Sequence, residues 1–195
     1  MKMDSIKDKL EELICIHDLD VDSASLIENA ETYPYLDSCP VHWSEGKTGR
    51  NTVSTYRTSQ FLALNNIIED TQFDTHPLQI AFKNVFAEFD AKIIEYREKQ
   101  GLHLNKDELW GINKYGVGSE YKNHYDHGPN SPRLLSGVMF LNDDFDGGEL
   151  VFPYFEKTIE AKAGRLVLFP SSFIYRHVSV PVVEGVKYSL VTWLV

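Results

Sequence analysis

The chain has 195 residues, enough for one well-packed domain, and its 43% hydrophobic and 12% aromatic content is that of a folded protein rather than a disordered one. A formal net charge of −10, spread along the chain without a basic patch, argues against nucleic acid as a partner, and no apolar run reaches membrane-spanning length. Cys15 and Cys39 make neither a disulfide framework nor a paired-thiolate zinc spacing, and the N-terminus lacks a secretory pattern, so the expectation is a non-secreted, cytoplasmic protein with reduced thiols.

From Asp4 to Ile16 the apolar positions Ile6, Leu10, Leu13 and Ile14 follow a helical spacing with one wet face. A second helix is expected from Asp22 or Ser23 towards Ala30, ending before Tyr33-Pro34. Residues 35–58 are rich in Ser, Gly, Thr and Asn and include Gly46 and Gly49; they read as a long polar loop or short strands around one, either a functional lid or disorder. The clearest helix runs from Pro77 to Gln100, with Thr75 as a cap, proline at the first helical position and Gly101 at the left-handed exit. Its stripe of Leu78, Phe82, Val85, Phe86, Phe89, Ile93 and Tyr96 is expected to lie on something flat.

From Leu109 the period changes to that of strands: LWGINKY, EYKNHYDH, RLLSGVMFLN, GELVFP, TIEAKA, RLVLFP, RHVSVPV and VKYSLVTWLV, separated by Gly, Pro, Asp and Ser turns. Many short strands after a helix able to cover one sheet indicate a sandwich or jelly roll. One domain over 1–195 is expected, with 1–108 as helical support and substrate-loop region and 109–195 as the jelly-roll strands.

Within these strands His124 and Asp126 stand two residues apart, a spacing that on an extended segment turns both side chains to one side. His177 opens a later strand, and strands distant in sequence lie side by side in a jelly roll. Two imidazoles and a carboxylate on one face of a metal leave the other face open, the ligand set of a non-heme ferrous ion that also takes up substrate and dioxygen. Zinc stays open on ligand type alone. His127 competes with His124, but it follows Asp126 by one residue and faces the opposite side of a regular strand. His17, His42, His76 and His103 are assigned to the surface. Tyr115, Tyr121 and Tyr125 are placed on the approach to the metal. Lys187 either needs an anionic partner or snorkels at its strand end, and the local sequence favours snorkelling.

The segment KYGVGSEYKNHYDH resembles the signature of the prolyl 4-hydroxylase family of iron(II)- and 2-oxoglutarate-dependent oxygenases, in its small microbial or viral form: a Tyr-Gly-x-Gly turn, a tyrosine three residues before the first histidine, then His-x-Asp. MFLNDDFDGGELVFP, AGRLVLFP and YRHVSVPVVEGVKYSLVTWL follow in the family's order, with Lys187 ten residues after His177, and YRTSQFLAL resembles the Arg-x-Ser strand upstream. The resemblance covers about Thr55 to Leu194. It implies a mainly β, α+β protein with N-terminal helices and a double-stranded β-helix (jelly-roll) core. It further implies ferrous iron on His124, Asp126 and His177, 2-oxoglutarate held by Lys187 and Tyr115, substrate beside Arg57 and Ser59, and a mobile substrate-covering loop through Gly46 and Gly49. Dioxygen is the co-reactant, and ascorbate joins the implied cofactors. The implied reaction is hydroxylation of a C–H bond, foremost in a prolyl residue of a peptide or protein, with release of succinate and carbon dioxide. Hydroxylation of a free amino acid or of another protein side chain is the nearest alternative. A non-catalytic jelly-roll binding module is the alternative of another class.

Overall fold

The computed structural model describes residues 5–32, 43–45, 47–48, 52–53, 55–65, 76–104 and 107–195. Ser5 opens the first helix, α1 (Ile6–Glu11), through a reciprocal capping box with Asp8. The helix stops five residues short of the Ile16 expected from its periodicity, and the chain enters strand β1 (Cys15–Asp18). Two effects account for the difference. No residue of α1 is buried, and a helix this short has little stability of its own. The β-branched Ile14 and Ile16 instead lead into a strand that pairs antiparallel with 165–168, and Ile14 enters the core. Helix α2 (Ser23–Thr32) starts where expected, with Asp22 Oδ1 accepting from the Ser25 amide at 3.0 Å, and buries Leu26 and Ala30.

Short strands β2 (Ser44–Glu45), β3 (Lys47–Thr48) and β4 (Thr52–Val53) precede β5 (Gln60–Ala63). Gly46, Gly49 and most of the expected loop lie outside the described residues, as do Thr75, Cys39 and His42. Helix α3 (Pro77–Gln100) has the expected bounds, and Gly101 leaves it at φ 63°. Its cap is His76, whose Nδ1 accepts from the Leu78 amide at 3.1 Å, so this histidine has a structural role rather than a merely solvated one. The stripe Leu78, Phe82, Val85, Phe89, Ile93 and Tyr96 is buried. Phe89 meets the Trp110 ring edge-on at 5.0 Å, and Gly137 makes room for it: a Cβ there would stand 2.8 Å from the Phe89 ring.

The remaining strands are β6 (Asp107–Tyr115), β7 (Tyr121–His124), β8 (Leu135–Phe140), β9 (Asp146–Gly147), β10 (Leu150–Phe152), β11 (Lys157–Ile159), β12 (Arg165–Pro170), β13 (His177–Ser179), β14 (Val182–Glu184) and β15 (Lys187–Leu194). A seven-stranded sheet runs β1-β12-β8-β15-β6-β5-β2 and a four-stranded sheet β11-β10-β13-β7, with antiparallel pairings throughout. This is the jelly roll that the strand pattern indicates. Residue 108 does not divide the sheet, because β1, β2 and β5 from the N-terminal region all join it. Helix α3 contributes its stripe to a core with the inner residues of the large sheet, including Ile112, Met139 and Leu190. Between the two sheets a second core of Phe140, Phe152, Val167 and Phe169 fills part of the gap. Beside it the facing strands turn polar. Among the described residues no helix is long and apolar enough to cross a membrane.

Candidate metal centre

The polar region is built by register. β7 and β13 pair antiparallel with His124 opposite His177, which brings the two rings to a centroid separation of 4.1 Å. Each ring is held from behind: His124 Nδ1 lies 2.7 Å from the Lys122 carbonyl and His177 Nδ1 3.1 Å from the Tyr175 carbonyl. A carbonyl accepts only, so each Nδ1 donates and each Nε2 keeps its lone pair for the interior. Asp126 follows β7 in the turn. Its Oδ1 stands 3.5 Å from His124 Nε2 and its Oδ2 3.7 Å from His177 Nε2. Among the described residues this is the one group of three or more His, Cys, Asp or Glu side chains able to share an ion, with ligand atoms within 4.8 Å of one another.

The electrostatics suit a cation. Burial opposes the charge on Asp126, but the two histidines and the Ser136 hydroxyl hold its carboxyl well below the usual range. Burial, then His124, pushes His177 down to about 4, so its imidazole is neutral at physiological pH, as a ligand must be. Ser136 Oγ donates to Asp126 Oδ2 at 2.7 Å and is itself 2.7 Å from Ser171 Oγ. Both serines are fully buried on strand ends where sequence gives no signal beyond a strand or turn residue. Ser136→Ala removes the donor that orients the carboxylate. The expected result is a folded protein whose affinity for Fe(II) or Co(II), measured by titration, falls roughly 10- to 100-fold.

His127 is exposed, its Nδ1 2.8 Å from the Arg133 carbonyl, and it takes no part in the group. Tyr121 stacks on His124 with centroids 3.5 Å apart. Tyr125 does not line the approach: it is 40% exposed and carries the Arg176 guanidinium over its outer face at 4.7 Å. The residue between two ligands on an extended segment points outward, which explains the correction.

Lys187 does not snorkel. It is 2% exposed, and Nζ donates to the Gly148 carbonyl at 2.6 Å and to Ser179 Oγ at 2.7 Å. The ammonium lies over the Tyr115 and Phe140 rings at 4.9 and 5.0 Å, and among the described residues no carboxylate oxygen comes within 4 Å of it. Burial pushes it down to about 7, with Glu149 opposing from a distance. Gly148, at φ 69°, is required here, since a Cβ would stand 2.9 Å from the Phe145 ring and 3.1 Å from Lys187 Cδ. Tyr115 is the register partner of Lys187 on β6, and burial raises its pKa while the Ser59 and Ser179 side chains reach its hydroxyl. A buried ammonium with only neutral partners, beside a buried phenol and a group able to hold a metal, has the chemistry to pair with an anion.

Arg57 pairs as an isolated bridge with Tyr121, and Ser59 is buried behind it. Arg57 Nε donates to Ser59 Oγ at 3.0 Å, and a terminal nitrogen donates to Asn113 Oδ1. Arg57, Asn113 and Tyr121 line one cavity between the sheets with Tyr115, Lys187 and the His124, Asp126 and His177 group, and Trp193 stands at its wall, while Ser59 lies behind Arg57. Asn113 and Trp193 are additions to the residues expected from sequence. The available signal was alternation: Asn113 shares a face with Tyr115, and Trp193 with Lys187.

Residues 110–195 match the family model described as the 2OG-Fe(II) oxygenase superfamily. The chain is 26% identical over 196 residues to prolyl 4-hydroxylase subunit alpha-1 of Gallus gallus, an alignment covering 90% of this chain and 34% of that protein. It is 35% identical over 94 residues to a PKHD-type hydroxylase of Pseudomonas putida, covering 42% of this chain and 41% of the relative. The chain thus spans between a third and a half of the length of these curated relatives. A solved prolyl hydroxylase from Trichoplax adhaerens, in complex with a hypoxia inducible factor oxygen degradation domain peptide fragment, superposes with a TM-score of 0.75 at 19% identity, covering 97% of this chain and 86% of that one. The likeness to that structure shows the shared jelly roll. The segment that matches the 2OG-Fe(II) oxygenase superfamily model, residues 110–195, contains His124, Asp126 and His177.

Proposed function

We propose that the protein is an iron(II)- and 2-oxoglutarate-dependent dioxygenase that hydroxylates a substrate C–H bond, foremost that of a prolyl residue in a peptide or protein. The observation that carries this reading is the conjunction of the buried two-histidine, one-carboxylate group with a buried lysine that has no acid partner among the described residues. Ferrous iron and 2-oxoglutarate, when bound, would supply the oxidative chemistry, with one oxygen atom of dioxygen going to the substrate and the other to succinate, and carbon dioxide released. The chain's own residues do the rest. His124 and His177 present Nε2 and Asp126 its carboxylate to the ion. Ser136 fixes the carboxylate, and the backbone carbonyls behind the two rings fix their tautomers. Lys187 would meet the distal carboxylate of 2-oxoglutarate, with Tyr115 and Ser179 as hydroxyl donors beside it. Arg57 and Tyr121 form the wall on the substrate side, with Ser59 behind Arg57. The apolar surroundings of Phe152 and Phe169 keep bulk water from the ligands and strengthen every charge interaction there.

Prolyl hydroxylation is favoured by the prolyl 4-hydroxylase relatives and by Arg57 at the cavity wall with Ser59 behind it. The non-catalytic module is disfavoured because neither the ligand group nor the lysine is broken. The free Cys15 thiol agrees with a reducing cytoplasm. Succinate release from 2-oxoglutarate with ferrous iron, alone and with proline-containing peptides, tests the activity, and a mass gain of one oxygen located on proline tests the target. Turnover is expected to depend on both iron and 2-oxoglutarate. Absence of succinate under every condition sinks the enzymatic reading, and oxygen placed on another side chain sinks the prolyl one.

A further inference from the structure

Arg57 is the charged group in the cavity wall that the machinery above leaves without a counter-charge. It is half-buried, and its partners are neutral: Ser59 Oγ at 3.0 Å, the Asn113 side-chain oxygen, and the rings of Phe61 and Tyr121 at 5.0 and 5.3 Å from the guanidinium carbon. Among the described residues no carboxylate oxygen lies within 4 Å of it. Arg97 and Arg176 are likewise without a carboxylate within 4 Å among the described residues, but neither lines the cavity, and acidic residues outnumber basic ones in the chain, 29 to 19. Arg133 and Arg165 each hold a carboxylate, Glu108 and Asp18, at 2.7 and 2.8 Å.

Charge within the cavity sharpens the point. Asp126, Lys187 and Arg57 are the charged side chains that line it. Glu149 acts on Lys187 from a distance and is not part of the wall. With a ferrous ion and the 2-oxoglutarate dianion in place, the ion and Lys187 balance the dianion and Asp126, and Arg57 remains as one uncompensated positive charge. A guanidinium offers five N–H donors in a planar fork, of which the bonds to Ser59 and Asn113 occupy two, and the Phe61 and Tyr121 rings lie beside it. A fixed, partly dehydrated fork of this kind is complementary to a carboxylate.

We propose that the substrate carries a carboxylate close to the carbon that is hydroxylated, and that Arg57, oriented by Asn113 and Ser59, reads it. The inference rests on the dioxygenase reading and names the class of substrate that this site takes. An acidic side chain beside a peptidyl proline, a peptide C-terminus and the α-carboxylate of a free amino acid all present the same group.

The test is equilibrium binding under nitrogen to the full chain loaded with Fe(II) and 2-oxoglutarate, using matched acid and amide probes. The pairs are an end-blocked proline peptide with glutamate or glutamine beside the proline, a neutral proline peptide ending in a carboxylate or an amide, and L-proline against L-prolinamide. In at least one pair the acid is expected to bind about tenfold tighter or better, the size of a charge-assisted hydrogen bond, and the pair that shows it identifies the source of the carboxylate. Arg57→Gln is expected to bring that pair to within about threefold, and Arg57→Lys to keep part of the preference. Equal binding of acid and amide by the unaltered protein, or no binding of any acid probe, overturns the proposal whether or not the variants fold. So does a preference that survives Arg57→Gln, or a variant whose defect is confined to 2-oxoglutarate affinity. Succinate release by the unaltered protein, measured in parallel, separates the two readings: if it persists while the acid preference is absent, the inference fails and the dioxygenase assignment stands.

Discussion

His177→Ala is expected to abolish ferrous-ion binding and all iron-dependent consumption of 2-oxoglutarate. His177 is 5% exposed, its ring is fixed by the Tyr175 carbonyl, and it is one of the three side chains whose ligand atoms are close enough to share an ion. Loss of an outer-shell partner costs roughly 10- to 100-fold in metal affinity, and loss of a ligand from a set of three must cost more. The variant also leaves Asp126 facing one imidazole instead of two. A readout separate from turnover is the thermal shift: added Fe(II) or Co(II) raises the Tm of the unaltered protein by mass action, and this rise is expected to vanish in the variant. His127→Ala provides the control, because that exposed ring contacts the Arg133 carbonyl and not the ligand group. Its metal-induced Tm rise is expected to match the unaltered protein. A variant at 177 that still binds iron tightly, or loss of iron at 127, would reassign the ligands.

What was legible in the sequence was mostly local. Helix α3 has its stop signal in Gly101, its start in Pro77, and a stripe that needs no knowledge of what it touches. His124 and Asp126 are neighbours on one segment, so their common direction follows from strand geometry alone. The approach of His177 is different in kind: it depends on the β7–β13 register, which no local pattern states. The first helix is shorter than its amphipathic spacing indicates because Ile6 stays 79% exposed, while the buried end of the stripe, Ile14, enters the core only after the helix has ended. Lys187 was misjudged for a related reason. A strand that reads Lys-Tyr-Ser-Leu-Val-Thr-Trp-Leu suggests one wet face, yet all eight residues are buried. β15 is a central strand, flanked by β8 and β6, and both of its faces are covered. Ser136, Ser179 and Asn113 are invisible for the complementary reason, since small polar residues in strands look like solvent-facing ones until the opposite layer is known.

Lys187→Met is expected to raise the Kd for 2-oxoglutarate by about two to three powers of ten, the effect of removing one partner from a buried ion pair. The same substitution should alter the stability of the ligand-free protein much less. It removes a buried charge, which is favourable, and leaves the Gly148 carbonyl and Ser179 hydroxyl without their donor, which costs about 1–3 kcal/mol per group. The two effects oppose each other, so binding and folding separate in one variant. The pH dependence gives an independent check. Burial lowers Lys187 from 10.5 to about 7 in the folded state, so between these values the unfolded chain binds more protons than the folded one. Its contribution therefore penalises the folded state most below about pH 7 and fades as pH rises towards 10.5. Cosubstrate binding runs the other way, because the dianion selects the ammonium form. The Kd for 2-oxoglutarate is expected to increase as pH rises above about 7, by up to tenfold per unit, until the pKa of the liganded lysine is reached. A guanidinium stays charged across this range, so Lys187→Arg should flatten the profile even where the larger side chain weakens binding overall. A Kd for 2-oxoglutarate unchanged within threefold in Lys187→Met would remove this lysine from the cosubstrate site and leave the buried ammonium without a function.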